Sequence, residues 1–318
     1  MNGVLIIDKP AGLTSHDVVN RVRRILGQRS IGHLGTLDPM ATGVLPLVTG
    51  SFTRLAQFYG NSEKTYEGTI RFGFSTDTYD LEGEPSSPPQ SVALKKEEIE
   101  ALAGKFRGRI EQMPPPFSAK KIKGVPAYKL ARKHREVVLD PVEVEIKEFD
   151  IVSVDADRVR FRARVASGTY MRSVAHDMGQ ALGCGAHLES LRRTAVAEFM
   201  LADAHTLEDL ENCGRDRSLA VPGEKRNGVE SLSLSADIEP FFVHPRKLLP
   251  DFPAVTADEA TAARIRAGRP VNLPELSRSR QVKVFAGQRE LIAIASRLAG
   301  TLFHPKMVFC GTDTSPGR

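Results

Sequence analysis

Cysteine is scarce in this 318-residue chain: Cys184, Cys213 and Cys310 are an odd number set far apart, with no C-x-x-C pair among them. That excludes a disulfide framework and makes them read as reduced, structural residues. Long apolar runs are missing as well. The aliphatic run at residues 4–7 is closed at once by Asp8 and Lys9, too short for a signal segment or a membrane-crossing helix. A cytoplasmic protein without membrane association is therefore expected. No Walker A or G-x-G-x-x-G loop occurs. Neither sign of charge dominates: 44 Lys+Arg against 39 Asp+Glu leaves +5, with 41% hydrophobic and 26% charged residues. Such a composition excludes disorder and collagen and fits a globular protein with one large domain and room for a smaller one. A sequence pI near 9.1 is in keeping with a polyanionic partner, because Lys and Arg that neutralise phosphates supply most non-specific nucleic-acid affinity.

After the short apolar strand, Thr14 and Asp17 have the spacing of a capping box, so a helix starts there. Val18, Val22, Ile25 and Leu26 then share one face and Gly27 stands where a C-terminal cap would. From Thr65 the period changes to two: Tyr66, Ile70, Phe72 and Phe74 share a parity and so one face of a strand. A Gly-, Pro- and Ser-rich loop spans 80–90, and Ile99, Leu102 and Phe106 mark a second amphipathic helix.

Residues 112–140 are unusual. Three prolines, Pro114 to Pro116, precede Lys120, Lys121, Lys123, Lys129, Arg132, Lys133 and Arg135, an ordered but protruding basic excursion of a length usually tied to function. Two strands follow, 142–146 and 159–165. In the second, Arg158, Arg160, Arg162 and Arg164 make one face wholly basic. A solvated sheet face and a phosphate-contacting surface both account for it, since a row of like charges is mildly destabilising without a partner. A helix is expected over 172–182, ending at Gly183. Residues 212–237 are polar and aperiodic and read as a linker. Beyond them, strand signals at 282–285 and 291–295 around a helix at 256–267 suggest a small mixed domain. The expected division is thus 1–240 and 241–318.

The densest constellation runs Gly32-His33-Leu34-Gly35-Thr36-Leu37-Asp38-Pro39-Met40-Ala41-Thr42-Gly43-Val44-Leu45-Pro46. Pro39 biases Asp38 toward an extended backbone, and the glycines permit close backbone approach, so the carboxylate sits on a stiff loop. An aspartate is ionised at neutral pH without special tuning and can act as nucleophile or base. Taken alone, an Asp-Pro pair also fits a turn in which the carboxylate merely binds backbone amides. Cys184 and His187 have C-x-x-H spacing, but the other cysteines are far away. Neither a metal site nor a cofactor is expected.

This stretch resembles the catalytic motif of the TruB family of tRNA pseudouridine synthases, G-H-x-G-x-L-D-P-x-A-x-G-x-L-P, and every fixed position matches. Other parts of the family pattern follow in order: Asp8-Lys9-Pro10-x-Gly12, Lys64-x-Tyr66, Thr76-Asp77-Thr78-x-Asp80, Ser167-Gly168-Thr169-Tyr170-x-Arg172, and Gly183 to Leu188 followed by Leu191-Arg192-Arg193-Thr194. The resemblance spans about residues 3–200. It implies an α/β (α+β) catalytic domain with a mixed, largely antiparallel sheet flanked by helices and loops. A small, β-rich, PUA-like RNA-binding domain would follow it. One departure stands out: the family commonly has Gly-x-Ala-Thr-Lys where this chain reads Gly50-Ser51-Phe52-Thr53-Arg54, which changes local packing rather than chemistry.

The implied activity is isomerisation of uridine 55 in the TΨC arm of tRNA to pseudouridine. Asp38 matches the essential aspartate, Arg172 the arginine paired with it, and Tyr66 the tyrosine that stacks on the target base. Read by residue type alone, Arg172 is an ordinary residue near a helix N-terminus and Tyr66 a core aromatic. Tyr170 and Leu191 match residues lining the same pocket. His33 matches the residue that helps fill the space left by the base, which must be extruded from a folded loop. The basic excursion aligns with a thumb-like loop over RNA. Lys9, Lys120, Lys121, Lys123 and Arg132 are the expected RNA contacts. The TΨC stem-loop of tRNA is the expected partner, with no protein partner required, and a monomer is expected. The alternative is an RNA-binding chaperone of tRNA folding with catalysis secondary. A third kind of relative acts on ribosomal RNA with guide RNA and partner proteins, usually with lysine-rich tails, which this chain lacks.

Overall fold

A computed structural model describes residues 1–118, 139–215 and 238–309, and the backbone alone of 121–122 and 125–126. Its strands are β1 (Gly3–Lys9), β2 (Ile31–His33), β3 (Thr42–Thr49), β4 (Lys64–Phe72), β5 (Gly108–Gln112), β6 (Lys121–Ile122), β7 (Val125–Pro126), β8 (Val142–Asp155), β9 (Arg158–Val165), β10 (Ala186–Val196), β11 (Phe199–Met200), β12 (Ala254–Ala257), β13 (Val271–Asn272), β14 (Gln281–Ala286), β15 (Glu290–Ala299) and β16 (Leu302–Val308). The described helices are α1 (Ser15–Leu26), α2 (Ala56–Tyr59), α3 (Lys96–Gly104), α4 (Met171–Ala181), α5 (Leu207–Arg215) and α6 (Glu259–Arg266). None is long and apolar enough to cross a membrane.

The large sheet has the order β1-β3-β10-β4-β9-β8-β5, with β2 beside β3 and β11 beside β10. Only β3 with β10 is parallel; the other pairings are antiparallel. Strands β6 and β7 form a small ladder inside the basic excursion. Lys120, Lys123 and Arg132 lie outside the described residues, as does the side chain of Lys121. The fold is therefore the mixed, largely antiparallel α/β architecture expected.

Local signals explain most elements. Thr14 and Asp17 form the reciprocal capping box of α1, with Asp17 N–H donating to Thr14 Oγ1 at 3.1 Å and Thr14 N–H to Asp17 Oδ2 at 2.9 Å. Gly27 ends the helix at φ +61°. Tyr66, Ile70 and Phe72 turn inward from β4 onto one buried cluster with residues of α1, α3 and α4. Phe74 falls beyond the strand and stacks on His187, their ring centroids 4.6 Å apart. Phe106, expected on the second helix, lies past its end at Gly104 but packs against the same core.

Two boundaries need correction. Residues 212–215, expected to open a linker, complete α5. Thr206 and Asp209 make a second capping box (2.8 and 3.1 Å), and Leu207 and Leu210 are buried one turn apart. Residues 216–237 lie outside the described residues. The helix expected over 256–267 begins only at Glu259, because Asp258 caps it by accepting from Thr261 N–H at 2.7 Å. The residues before that cap form β12, parallel to β14.

The second sheet, ordered β12-β14-β15-β16-β13, does not stand apart. Val4, Ile6, Val44, Val48 and Phe199 on the outer face of the large sheet share one buried cluster with Leu248, Leu249, Phe285, Ile294, Met307 and Phe309. Phe52, the departure from the family pattern, sits in this cluster and meets Phe309 edge to face at 4.9 Å. A small residue at that position could not make the contact, so the change is accounted for by packing.

The arginine row on β9 is partly spent within the protein. Arg158 binds Glu189 and Asp157, and Arg164 binds Glu63 and Glu148. Two of the four charges thus have acidic partners at either end of the row, which is what the solvated-face account requires.

Candidate active site

The Asp38 loop is held from three directions. From α1, Ser15 Oγ accepts from Leu37 N–H at 2.8 Å and donates back to Leu37 O at 3.1 Å. From β10, buried Arg193 donates to Gly35 O, Thr36 O and Val44 O at 3.0, 3.2 and 2.8 Å. From β1, Lys9 Nζ donates to Pro10 O, Leu13 O and Pro39 O at 2.9, 2.6 and 3.1 Å. Each tie satisfies carbonyls that would otherwise be stranded as the loop leaves the sheet.

Gly43 closes the loop onto β10. Its φ is +99°, and a Cβ placed there would stand 2.2 Å from the Arg193 carbonyl oxygen. Backbone cannot yield as a flexible side-chain end would. Gly43→Ala is therefore expected to cost about 3 kcal/mol or more by adding backbone strain to a backbone clash. Chemical denaturation of the two proteins checks this; an unchanged midpoint would mean the β3–β10 junction is more compliant than its geometry indicates.

Asp38 projects from this loop with its side chain 35% exposed, beside a buried Arg172 whose side chain is 5% exposed. Arg172 Nε lies 2.9 Å from Asp38 Oδ2, and Nη2 donates to Asp38 Oδ1 at 3.2 Å. One hydrogen bond through Nη2 and a close ion contact at Nε hold the carboxylate against the planar guanidinium. The same guanidinium donates to Thr78 O and Phe117 O, each at 3.0 Å, and stands 3.4 Å from Asp80 Oδ2. Arg172 is the second residue of α4, where a cation opposes the helix dipole; the two carboxylates offset that cost.

Asp80 is a further member of this cluster that the sequence reading does not single out. Its side chain is 4% exposed and accepts from Thr78 Oγ1 at 2.6 Å and Glu82 N–H at 3.0 Å. Burial pushes its carboxyl above the usual range, against the opposing pull of Thr78 and Arg172. Its signal in the sequence is the Thr76-Asp77-Thr78-x-Asp80 motif. Tyr79 inside that motif stacks on His176 with centroids 3.8 Å apart, which braces the turn presenting Asp80.

Asp38, Tyr66, Tyr170, Arg172 and Leu191 line one pocket of about 300 Å3, so five expected site residues come together. Tyr170 is clasped at its backbone by Gln112, whose side chain accepts from Tyr170 N–H at 2.8 Å and donates to Tyr170 O at 3.0 Å. Ser173 Oγ donates to Met113 O at 2.6 Å. The root of the basic excursion is thus pinned to the start of α4. Lys64 and Arg193 also line the pocket. Burial and neighbouring Arg193 lower Lys64 to about 8.

Two expected residues are placed differently. His33 ends β2 next to pocket-lining Leu34 but is not among the lining residues. Its buried Nδ1 has no hydrogen-bond partner among the described residues, and desolvation lowers its pKa, which favours the neutral ring. Lys9, expected to touch RNA, is 0% exposed and directs its ammonium at three carbonyls. It is a brace of the Asp38–Pro39 loop, and burial lowers it to about 8 although Asp38 pulls the other way. His187 approaches Phe74 O through Nδ1 at 3.2 Å, and no cluster of metal-ligating residues occurs among the described residues.

Residues 23–171 match the N-terminal domain of TruB family pseudouridylate synthases, and residues 172–220 match the C-terminal domain of tRNA pseudouridylate synthase B. The chain belongs to the TruB family of pseudouridine synthases, whose members are isomerases. The tRNA pseudouridine synthase B of Solibacter usitatus (strain Ellin6076) is 49% identical over 312 residues, 97% of this chain and 100% of that one. The protein of the same name from Arthrobacter sp. (strain FB24) is 38% identical over the full length of both chains. Among solved structures, an H/ACA RNP bound to a substrate RNA containing 2'-deoxyuridine contains a chain with a TM-score of 0.68 at 23% identity. That match covers 99% of this chain and 87% of that one, and it shows the shared fold. A chain of a Cbf5-Nop10-Gar1 complex has a TM-score of 0.65 at 25% identity, covering 94% and 79%.

Proposed function

We propose that this chain isomerises uridine 55 in the TΨC loop of tRNA to pseudouridine, with Asp38 as the essential nucleophile or base. The observation that carries the reading is the Asp38 carboxylate, held by buried Arg172 at a pocket lined by Tyr66, Tyr170 and Leu191. The N1–C1' bond of the uridine breaks, the base turns, and C5 bonds to C1'. The C5 proton leaves and N1 gains one, so substrate and product are isomers and no external oxidant or reductant is consumed. Asp38 serves either by attacking C1' or by taking the C2' proton to give a glycal. Tyr66 offers a ring against which the extruded base stacks, offsetting a few kcal/mol of unstacking.

In this reading residues 1–240 form the catalytic unit. The excursion at 112–140 is a thumb closing over RNA through Lys120, Lys121, Lys123 and Arg132, and residues 241–318 are a PUA-like RNA-binding unit. The protein acts as a monomer in the cytoplasm, on tRNA alone. Alignment over 97% or more of this chain with the two relatives named tRNA pseudouridine synthase B supports tRNA as the substrate.

The test is incubation of unmodified tRNA with the protein, without added metal or cofactor, followed by mass-spectrometric or carbodiimide detection of pseudouridine. Product at position 55 is expected. Tight binding without product would replace the reading with a tRNA-folding role, and product elsewhere would reject the assigned position.

A further inference from the structure

The wall of the pocket also contains Tyr59, the last residue of α2, which the mechanism above does not use. Tyr59 is buried, and its hydroxyl donates to Glu198 Oε1 at 2.6 Å. Leu249 N–H, from the chain entering the C-terminal sheet, donates to the same Glu198 Oε1 at 2.9 Å and approaches Tyr59 Oη at 3.2 Å. Leu249 has φ +49°, an uncommon conformation for a leucine that persists only where surroundings over-determine it. They do so from the other side too: buried Lys283 of β14 donates to Leu248 O at 2.6 Å and Arg246 O at 3.0 Å. A continuous polar path therefore runs from the pocket wall through Glu198 and Leu249 to β14. Glu198 also lies in the turn that ends β10, the strand carrying Leu191 and Arg193 to the same pocket.

We propose that Tyr59 and Glu198 are positioning residues through which the docked C-terminal sheet sets the wall of the catalytic pocket. The interface does not need this joint for adhesion, because the Phe52–Phe309 and Phe58–Phe252 contacts and their cluster supply apolar burial. A buried polar group in such surroundings costs stability unless every member is satisfied, and a satisfied one fixes geometry. Burial and the Glu198 charge hold the Tyr59 phenol well above its ordinary range, so it remains the donor. Placed at the pocket, the joint ties the position of the reacting uridine to the docked C-terminal sheet.

The inference rests on the pocket being the site of tRNA modification. Single-turnover rate, tRNA affinity and melting temperature would be measured for the full-length protein, Tyr59→Phe, Glu198→Gln, Glu198→Ala, the Tyr59→Phe/Glu198→Ala pair and Phe309→Leu. Tyr59→Phe keeps the ring against Phe199 and is expected to slow the chemical step about tenfold with affinity unchanged. Glu198→Gln retains an acceptor oxygen and should stay near wild type. Glu198→Ala should be slower than Tyr59→Phe, and the pair no slower than Glu198→Ala alone, since both remove one joint. Phe309→Leu, on the same interface away from the pocket, should lower the melting temperature and leave the rate. Rates within twofold of wild type for Tyr59→Phe and Glu198→Ala would overturn the proposal, as would weakened tRNA affinity with an unchanged rate, which marks direct substrate binding. An inactive wild type would instead overturn the assigned activity.

Discussion

Asp38→Asn is expected to lower single-turnover pseudouridine formation by about four orders of magnitude while tRNA affinity stays within about threefold. The substitution is nearly isosteric. Its oxygen still accepts one hydrogen bond from Arg172, so loop geometry and the shape of the pocket survive, held by Ser15, Arg193 and Lys9. What is lost is the charge and the lone-pair reactivity of the second oxygen, whose place is taken by an NH2 group with its N–H donors opposite the guanidinium Nε. An amide neither attacks C1' nor accepts a carbon-bound proton, so neither route is open to it. A filter-binding curve beside the rate separates chemistry from recognition. Product formed within about a hundredfold of wild type would remove Asp38 from the chemical step.

The second large effect concerns Arg172. Arg172→Met takes away contacts with two carboxylates and two carbonyls at once. Breaking a buried pair from one side typically costs about 3–5 kcal/mol, because the remaining charge is left without compensation. Asp80 is the charge in question, since Asp38 reaches solvent and Asp80 does not. Turnover should fall with stability, as the Asp38 carboxylate is free to rotate. Arg172→Lys keeps the charge but cannot contact one carboxylate at two points while reaching Thr78 and Phe117, so it should fold better than Met and still turn over poorly.

The sign of the pH effect distinguishes this cause from simple loss of packing. The Asp80 carboxyl is already raised by burial in the intact protein, and losing Arg172 raises it further. The folded state then binds more protons than the unfolded one between the ordinary aspartate value of about 3.9 and the raised value. Stability conferred by the protonated form is present below that window and lost as pH rises through it. Arg172→Met should accordingly recover part of its deficit on acidification, read from urea midpoints at several pH values. A deficit constant with pH would place the cost in packing instead.

Asp38, Arg172 and Tyr66 were legible because motif and periodicity coincide there: a stiff Gly- and Pro-bounded loop, a helix start and an inward strand parity. The sharing of one guanidinium by Asp38 and Asp80 was not legible, since it depends on where three distant segments meet, which no local pattern encodes. Lys9 misled for the opposite reason. An ammonium next to an acid in a loop sequence looks solvent-facing, and only the converging carbonyls of Pro10, Leu13 and Pro39 reveal it as interior. The start of α5 carried a visible Thr206–Asp209 capping signal that the polar composition downstream obscured. Half of the arginine row on β9 finds its acids on neighbouring strands and turns, partners that become adjacent only when the sheet is assembled.

The cluster that joins the outer face of β1 to Leu248, Phe285 and Phe309 also orders events during synthesis. Val4 and Ile6 emerge from the ribosome more than 200 residues ahead of the side chains that cover them. Until then a nascent chain can pair β1 with β3 but presents one apolar sheet face to solvent, the kind of surface that recruits chaperones and drives aggregation. A chain stalled or cut short before residue 248 keeps that face open. Burial of the outer face of β1 thus certifies that translation has reached the second sheet.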